Sequence, residues 1–180
     1  MILAPGVEFF EADHKYFYKG KQLSGVTGLI SKKLGLKMPQ EFLAEHQEEG
    51  IHVHKAVQRW IETGSSGSVH PGVQWLVDTF ITDGNMLHSE VLVSDFKQYA
   101  SAIDIVHERQ DGTLDIYDIK KGVFKRDYVT WQLSIYKYMA EKAGKIVRDC
   151  VCICLRDKEY YPIFPKAAGD VDKLLYGTSP

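Results

Sequence analysis

The sequence predicts an α/β fold: a mixed central β-sheet flanked by helices, with an N-terminal β meander in front of it. Three observations carry that expectation. Two strand-like runs, Tyr99 to His107 and Thr113 to Lys120, are joined by Gln110-Asp111-Gly112, a hairpin signal that forces antiparallel pairing. A helical run from about Thr130 to Ala143 separates the second of these from another strand, Ile146 to Leu155, and so permits a parallel crossover. At 180 residues, with 44% hydrophobic and 12% aromatic content, the chain has the size and apolar content for one substantial core. A single domain over 1–180, undivided by any linker, is expected.

Val7 to Leu23 alternates aromatic and polar residues around Asp13-His14 and Lys19-Gly20, which reads as the meander. Ser24-Gly25-Val26-Thr27 opens a helical stretch through Ile30, with Ser24 or Thr27 as its cap. Pro39 to Glu49 reads as a helix with Pro39 in its first turn. Gly50 is expected to interrupt it, and Ile51 to Thr63 resumes helical spacing, with Val53, Val57, Trp60 and Ile61 on one face until Gly64. After a loop at Ser65 to Ser68, Pro71 starts a helix with Val73, Trp75, Leu76, Val77 and Phe80 as its stripe, ending near Asp83-Gly84. Strands follow over Met86 to Ser94 and the hairpin, then the Thr130 helix closed by Gly144, strands at Ile146 to Leu155 and Tyr160 to Phe164, and a short helix at Asp170 to Tyr176.

Net charge is −2, so nothing global favours nucleic acid, and such a site must rest on local patches. Two exist: Lys120-Lys121-Gly-Val-Phe-Lys125-Arg126, and Lys32-Lys33 with Lys37. The second reads as a solvated face, whereas the first abuts a carboxylate pair. Cys150, Cys152 and Cys154 alternate on one strand face without the paired spacing or added histidine of a zinc site, and read as buried reduced thiols. The N-terminus lacks a basic region followed by a long apolar run, and no window reaches membrane-spanning length, so a soluble cytoplasmic protein with no membrane association is expected.

Asp118-Ile119-Lys120 is the most informative stretch. On a strand, Asp118 and Lys120 project to one face and Ile119 to the other. Folding the hairpin sets Asp104 roughly opposite Asp118. Two carboxylates about 4 Å apart repel by roughly 4 kcal/mol at an effective dielectric of 20, so keeping both ionised requires a compensating charge. A divalent cation with Lys120 beside it would supply one.

Asp104, then Asp118-x-Lys120, then Gln132-x-x-x-Tyr136 on the next helix, preceded by Gly50-x-x-x-His54, resembles the RecB-like and phage-exonuclease branch of the PD-(D/E)xK nucleases, over about 27–155. The resemblance implies a restriction-endonuclease-like core and a deoxyribonuclease that leaves 5′-phosphate ends, an exonuclease of phage or mobile-element origin acting in recombination or repair. A junction-resolvase-like endonuclease, or a binding protein that keeps the fold without hydrolysis, are the alternatives. It implies His54, Asp104, Asp118 and the Ile119 carbonyl as ligands of Mg²⁺ or Mn²⁺, with Lys120 orienting the attacking water. Glu90 would stand near the metal, and Gln132 and Tyr136 would hold DNA backbone or a water. His52 is the competitor of His54, with His46 more remote. There is no cysteine ahead of His54, hence no iron–sulfur cluster, and no Gly-x-x-x-x-Gly-Lys-[Ser/Thr] run, hence no bound nucleotide. DNA is the implied partner, with a recombination or single-strand-annealing protein or a ring-like homo-oligomer extending its grip.

Overall fold

Alternating aromatic and polar side chains shape the first 25 residues into three antiparallel strands, β1 (Val7–Phe10), β2 (Lys15–Tyr18) and β3 (Lys21–Gly25), with a 3-10 turn at Glu11–Asp13. The computed structural model describes residues 1–36, 40–68, 70–80 and 86–177, with backbone alone at 12 and 40–49. Helices α1 (Val26–Lys33), α2 (Gln40–Thr63) and α3 (Pro71–Thr79) follow. The rest alternates as β4 (Met86–Ser94), β5 (Tyr99–Glu108), β6 (Leu114–Lys120), α4 (Arg126–Lys142), β7 (Val147–Cys154), β8 (Glu159–Pro162) and α5 (Ala168–Tyr176). The fold is mixed α/β, as the element order predicts. None of its described helices is long and apolar enough to cross a membrane.

The hairpin pairs β5 with β6 antiparallel, and α4 carries the chain over to β7, which pairs with β6 in parallel. The full order is β1-β2-β3-β5-β6-β7-β8, with β4 on β5. One face packs on α1, α4 and α5 through Ile103, Val106, Leu114, Ile116, Leu133 and their neighbours, including Cys150 and Cys152. The other packs on α2 and α3 through Val53, Val57, Val73, Leu76, Ile105, Ile119 and Ile153. Each fully buried Ile or Leu contributes about 1.5–3 kcal/mol of transfer free energy. All three cysteines are free and buried, as their strand alternation suggests.

A gap in the sheet positions everything that follows. One edge of β5 carries β4 along nearly its whole length. Its other edge carries β6 over Ile105–Glu108 and β3 over Tyr99–Ala100. Between those two ladders, residues 101–104 of β5 lie where the sheet forks.

Four local expectations change. Gly50 does not interrupt the second helix, which runs unbroken through it. A glycine costs a helix interior about 1 kcal/mol relative to alanine but blocks nothing sterically, and it ends a helix where the backbone turns left-handed, as at Gly64 with φ +77°. Neither Ser24 nor Thr27 caps α1: Ser24 lies on β3, and Gly25 takes the cap position without a side-chain hydrogen bond. Helix α4 begins four residues before Thr130, because Arg126 and Asp127 are exposed and so leave no apolar periodicity to read. Helix α3 ends at Thr79, short of the Asp83-Gly84 stop, because Phe80 already takes extended backbone. Pro39 and Lys37 lie outside the described residues, as does the side chain of His46.

Two glycines test this packing in opposite directions. Nothing lies within 4 Å of a Cβ built on Gly50, whereas one on Gly72 would meet Leu155 Cβ and the Leu155 carbonyl oxygen at 2.7 Å. Urea unfolding should show Gly50→Ala stabilised by about 0.5–1 kcal/mol. Gly72→Ala should lose about 1–3 kcal/mol, since backbone cannot yield as a side chain can. Shifts of the same sign would contradict the continuous helix or the close α3–β7 approach.

Candidate metal centre

The ladder between β5 and β6 ends at the Ile105–Tyr117 rung, so Asp104 and Asp118 are the next residues beyond it, facing each other across the fork. Ile119 N–H, past that last rung, donates to Asp104 Oδ2 at 2.6 Å, a side chain standing where a strand would have supplied a carbonyl. The side chain of Ile119 packs on the α2 and α3 side.

Strand alternation also inverts here. Ile103 belongs to the core under α4, yet Ile105, two residues on, belongs to the core under α2 and α3. On β4 the same exchange separates Leu87 from Val91, although Ser89 stays opposite Ile105 and Val91 opposite Ile103. Glu90 and Asp104 are the residues between. Glu90 adopts φ +48°, left-handed backbone that a non-glycine residue rarely takes inside a strand and that marks functional sites.

From α2, His54 completes a first cluster. Its Nδ1 lies 3.3 Å from Asp104 Oδ1 and 3.9 Å from Glu90 Oε1. One ligand atom from each of His54, Glu90 and Asp104 lies within 4.8 Å of the others, and among the described residues this is the one His/Cys/Asp/Glu group that so converges. His52, the competing histidine, is exposed on the same helix. The two odd-numbered helix positions between and beyond them, Val53 and Val57, are buried, so the α2 face that enters the core carries His54 toward the sheet.

Asp118 stands outside that trio and organises a second cluster. It is fully buried, and Lys120 donates to its Oδ1 at 3.0 Å. Its Oδ2 is 2.8 Å from the same ammonium but has no hydrogen bond of acceptable geometry. Lys120 also donates to Gln132 Oε1 at 3.2 Å, Gln132 Nε2 donates to the Tyr136 hydroxyl at 2.8 Å, and that hydroxyl meets Ser101 Oγ at 3.1 Å. Gln132 and Tyr136 are buried, where they touch Lys120 and one another. Ser101 enters the network unforeseen. The signal available for it is a polar residue inside an apolar strand, three positions before Asp104.

Electrostatics divides the groups. Asp104 holds His54 up at about 9, against the opposing effect of burial, so the imidazole is protonated beside its carboxylates. Burial alone would raise Asp104, but His54 and Lys120 outweigh it and leave the carboxyl lowered. Glu90 is pushed up to about 7 by burial and then by Asp104. Asp118 rises to about 6, chiefly through burial, with Lys120 resisting and Asp104 assisting. Burial opposes the charge on Lys120, yet Asp118 and Asp104 prevail and its pKa is raised, so it remains a cation at neutral pH. Tyr16 on β2 is raised to about 12 by burial and then by Glu90, which places a second unforeseen hydroxyl next to the first cluster.

Two carboxylates and an imidazole at these separations could hold a hard divalent cation, whose charge would offset both the burial of Glu90 and its repulsion by Asp104. An ammonium has three N–H donors, of which Lys120 uses one on Asp118 and one on Gln132. Its side chain is 27% exposed, so the third can reach a water or an anionic oxygen. The chain matches no protein-family model and no curated protein.

Tyr136→Phe should cost about 1–3 kcal/mol in urea unfolding, because it strips a buried donor on Gln132 and a buried hydroxyl on Ser101 of their partner. Adding Gln132→Leu should cost less than the sum of the two single changes, as members of one network couple. Strict additivity would mean that the chain from Ser101 to Lys120 does not act as a unit.

Proposed function

We propose that this protein is a divalent-metal-dependent deoxyribonuclease, an exonuclease in kind, that hydrolyses phosphodiesters to leave 5′-phosphate ends. The observation that carries the reading is the meeting, at one fork in the sheet, of a His54–Glu90–Asp104 donor set with a Lys120 ammonium that has an N–H to spare. Phosphodiester hydrolysis needs little covalent chemistry and much positive charge, placed where the pentacoordinate phosphate gathers negative charge. The exonuclease choice rests on the resemblance of the ordered residue set to phage and RecB-like enzymes.

His54, Glu90 and Asp104 would hold Mg²⁺ or Mn²⁺, the imidazole tilting the preference toward Mn²⁺, while Asp118, ion-paired with Lys120 through Oδ2 at 2.8 Å, stands beside them. When bound, such an ion polarises a phosphate oxygen and makes a coordinated water acidic. To act as a ligand, His54 gives up the proton that Asp104 otherwise holds on it. Asp104 itself is fixed by the Ile119 N–H, so the acid most central to the site does not swing. Lys120, always charged, directs its free N–H at the attacking water or a non-bridging phosphate oxygen. Asp118 and Gln132 set the direction of that N–H, and Tyr136 and Ser101 hold Gln132 in turn.

Incubation of the purified protein with end-labelled linear and circular DNA, single- and double-stranded, in Mg²⁺, Mn²⁺ or EDTA tests the reading. Linear DNA should be shortened to 5′-phosphate products with metal and left whole in EDTA. Asp104→Asn and Lys120→Ala, confirmed as folded, should each lose about 10²-fold or more in rate. Cutting of circular DNA would replace the exonuclease with an endonuclease of the resolvase kind. No metal-dependent cutting of any substrate would replace the enzyme with a nucleic-acid-binding protein.

A further inference from the structure

Lys33, of the first basic run, and Lys166, far along the chain, come together around one side chain, on the helix that the second basic run opens. Helix α1 packs on α4. That contact brings Lys33, in the last turn of α1, to Trp131 on α4, with its Nζ 4.8 Å from the centre of the indole ring. Lys166, in the segment after β8, brings a second ammonium to 5.7 Å from the same ring, anchored by its own N–H on Ser134 Oγ at 2.9 Å. Lys32 is exposed beside Lys33, and Lys125 and Arg126 are exposed at the start of α4, six and five residues before Trp131. Asp127 is the one carboxylate in that first helical turn. Among the described residues none of these five cations forms an ion pair, whereas Lys15, Lys55, Arg109, Lys137, Lys145 and Arg148 elsewhere each sit on a carboxylate.

The patch is continuous with the candidate site. Trp131 adjoins Gln132, the partner of Lys120, and Tyr128 one turn earlier meets Ser31 of α1 while lying within the fields of Lys120 and Asp118. The ring of Trp131 is 9% exposed with lysine ammoniums over it, so it is not free to stack on a base. What the surface presents outward is a set of unpaired positive charges at fixed positions. Such a set recognises a polyanionic backbone and carries no base-specific readout.

We infer that Lys33 and Lys166 over Trp131, with Lys32 beside Lys33 and Lys125 and Arg126 at the start of α4, form the track along which the phosphate backbone of the DNA strand leads to the Lys120 end of the candidate site. The inference rests on the nuclease reading for its direction, but the track itself is a binding surface and is tested as one. It binds without sequence preference, and its grip weakens steeply with salt.

Fluorescence anisotropy of a labelled single-stranded oligonucleotide, titrated with protein in EDTA at several salt concentrations, separates the two ideas. The variant Lys33→Gln/Lys166→Gln keeps the methylene stems against Trp131 and removes two charges; its thermal melting is followed alongside. It should bind about 5-fold or more weakly near 0.1 M salt, equally on oligonucleotides of different sequence. Its slope of log K against log salt should be shallower by roughly 1.4, two phosphate contacts at 0.7 each. Lys15→Gln/Lys55→Gln, which removes two cations that already sit on carboxylates, should keep the parent affinity and slope. Unchanged affinity and slope in Lys33→Gln/Lys166→Gln, or no DNA binding by the parent protein, would overturn the track. A parent that binds by this surface but cuts no DNA would keep the track and remove the nuclease reading.

Discussion

Asp104 sits among charges of its own sign, with Glu90 opposite it on β4 and Asp118 beyond the last rung on β6. Three carboxylates, buried or nearly so, at one point of a sheet would each protonate or push the strands apart unless positive charge were built in beside them. The chain supplies that charge twice, as His54 from α2 and as Lys120 from β6, and adds the Ile119 N–H as a fixed dipole. Both cations are pushed toward their charged forms by the acids, and Asp104 toward its ionised form by both cations, so each group's state depends on the others. The arrangement is neutralised but crowded. Burial first, and Asp104 second, keep the pKa values of Glu90 and Asp118 raised.

The fold is arranged to make this tolerable. A continuous ladder through residues 101–104 would have left no room for side chains to turn inward, and the fork between β3 and β6 provides it. On one side of the fork α2 delivers an imidazole, and on the other α4 delivers Gln132 and Tyr136. The left-handed residue at Glu90 and the exchange of core faces on β4 and β5 let neighbouring strand residues serve opposite sides of the sheet. Strained backbone of this kind persists where its surroundings over-determine it. Here the long β4–β5 ladder on one edge and packed helices on both faces do so.

Much of this was legible in the sequence because the signals were strong and local. Gly112 and the apolar alternation around it fix the hairpin, and the hairpin alone brings Asp104 toward Asp118. Lys120 follows from its place beside Asp118 on a strand end, whereas Gln132, Tyr136 and the choice of His54 over His52 follow from the resemblance of the ordered residue set to a nuclease family. Other features depend on tertiary placement and left no local trace. That Glu90 and not Asp118 completes the converging trio follows from an αL residue in β4, and a strand pattern does not announce one. That Gln132 and Tyr136 are buried in a chain from Lys120 to Ser101 depends on α4 packing against the sheet. The Lys32-Lys33 run reads as an ordinary solvated face until Trp131 is seen beneath it. Gly50 shows the converse: a glycine is a weak breaker, and the packing on either side of it carries the helix through.

The central claim is that His54, Glu90 and Asp104 form one divalent-cation site. It is tested most directly by electron paramagnetic resonance of the protein titrated with Mn²⁺, followed by electron spin-echo modulation to detect nitrogen bound to the metal. The account predicts a site on each chain that shows a ¹⁴N modulation, with the modulation lost in His54→Gln and the binding lost in Asp104→Asn. Absence of tight Mn²⁺ binding, or a bound Mn²⁺ whose spectrum is indifferent to His54→Gln, would contradict it.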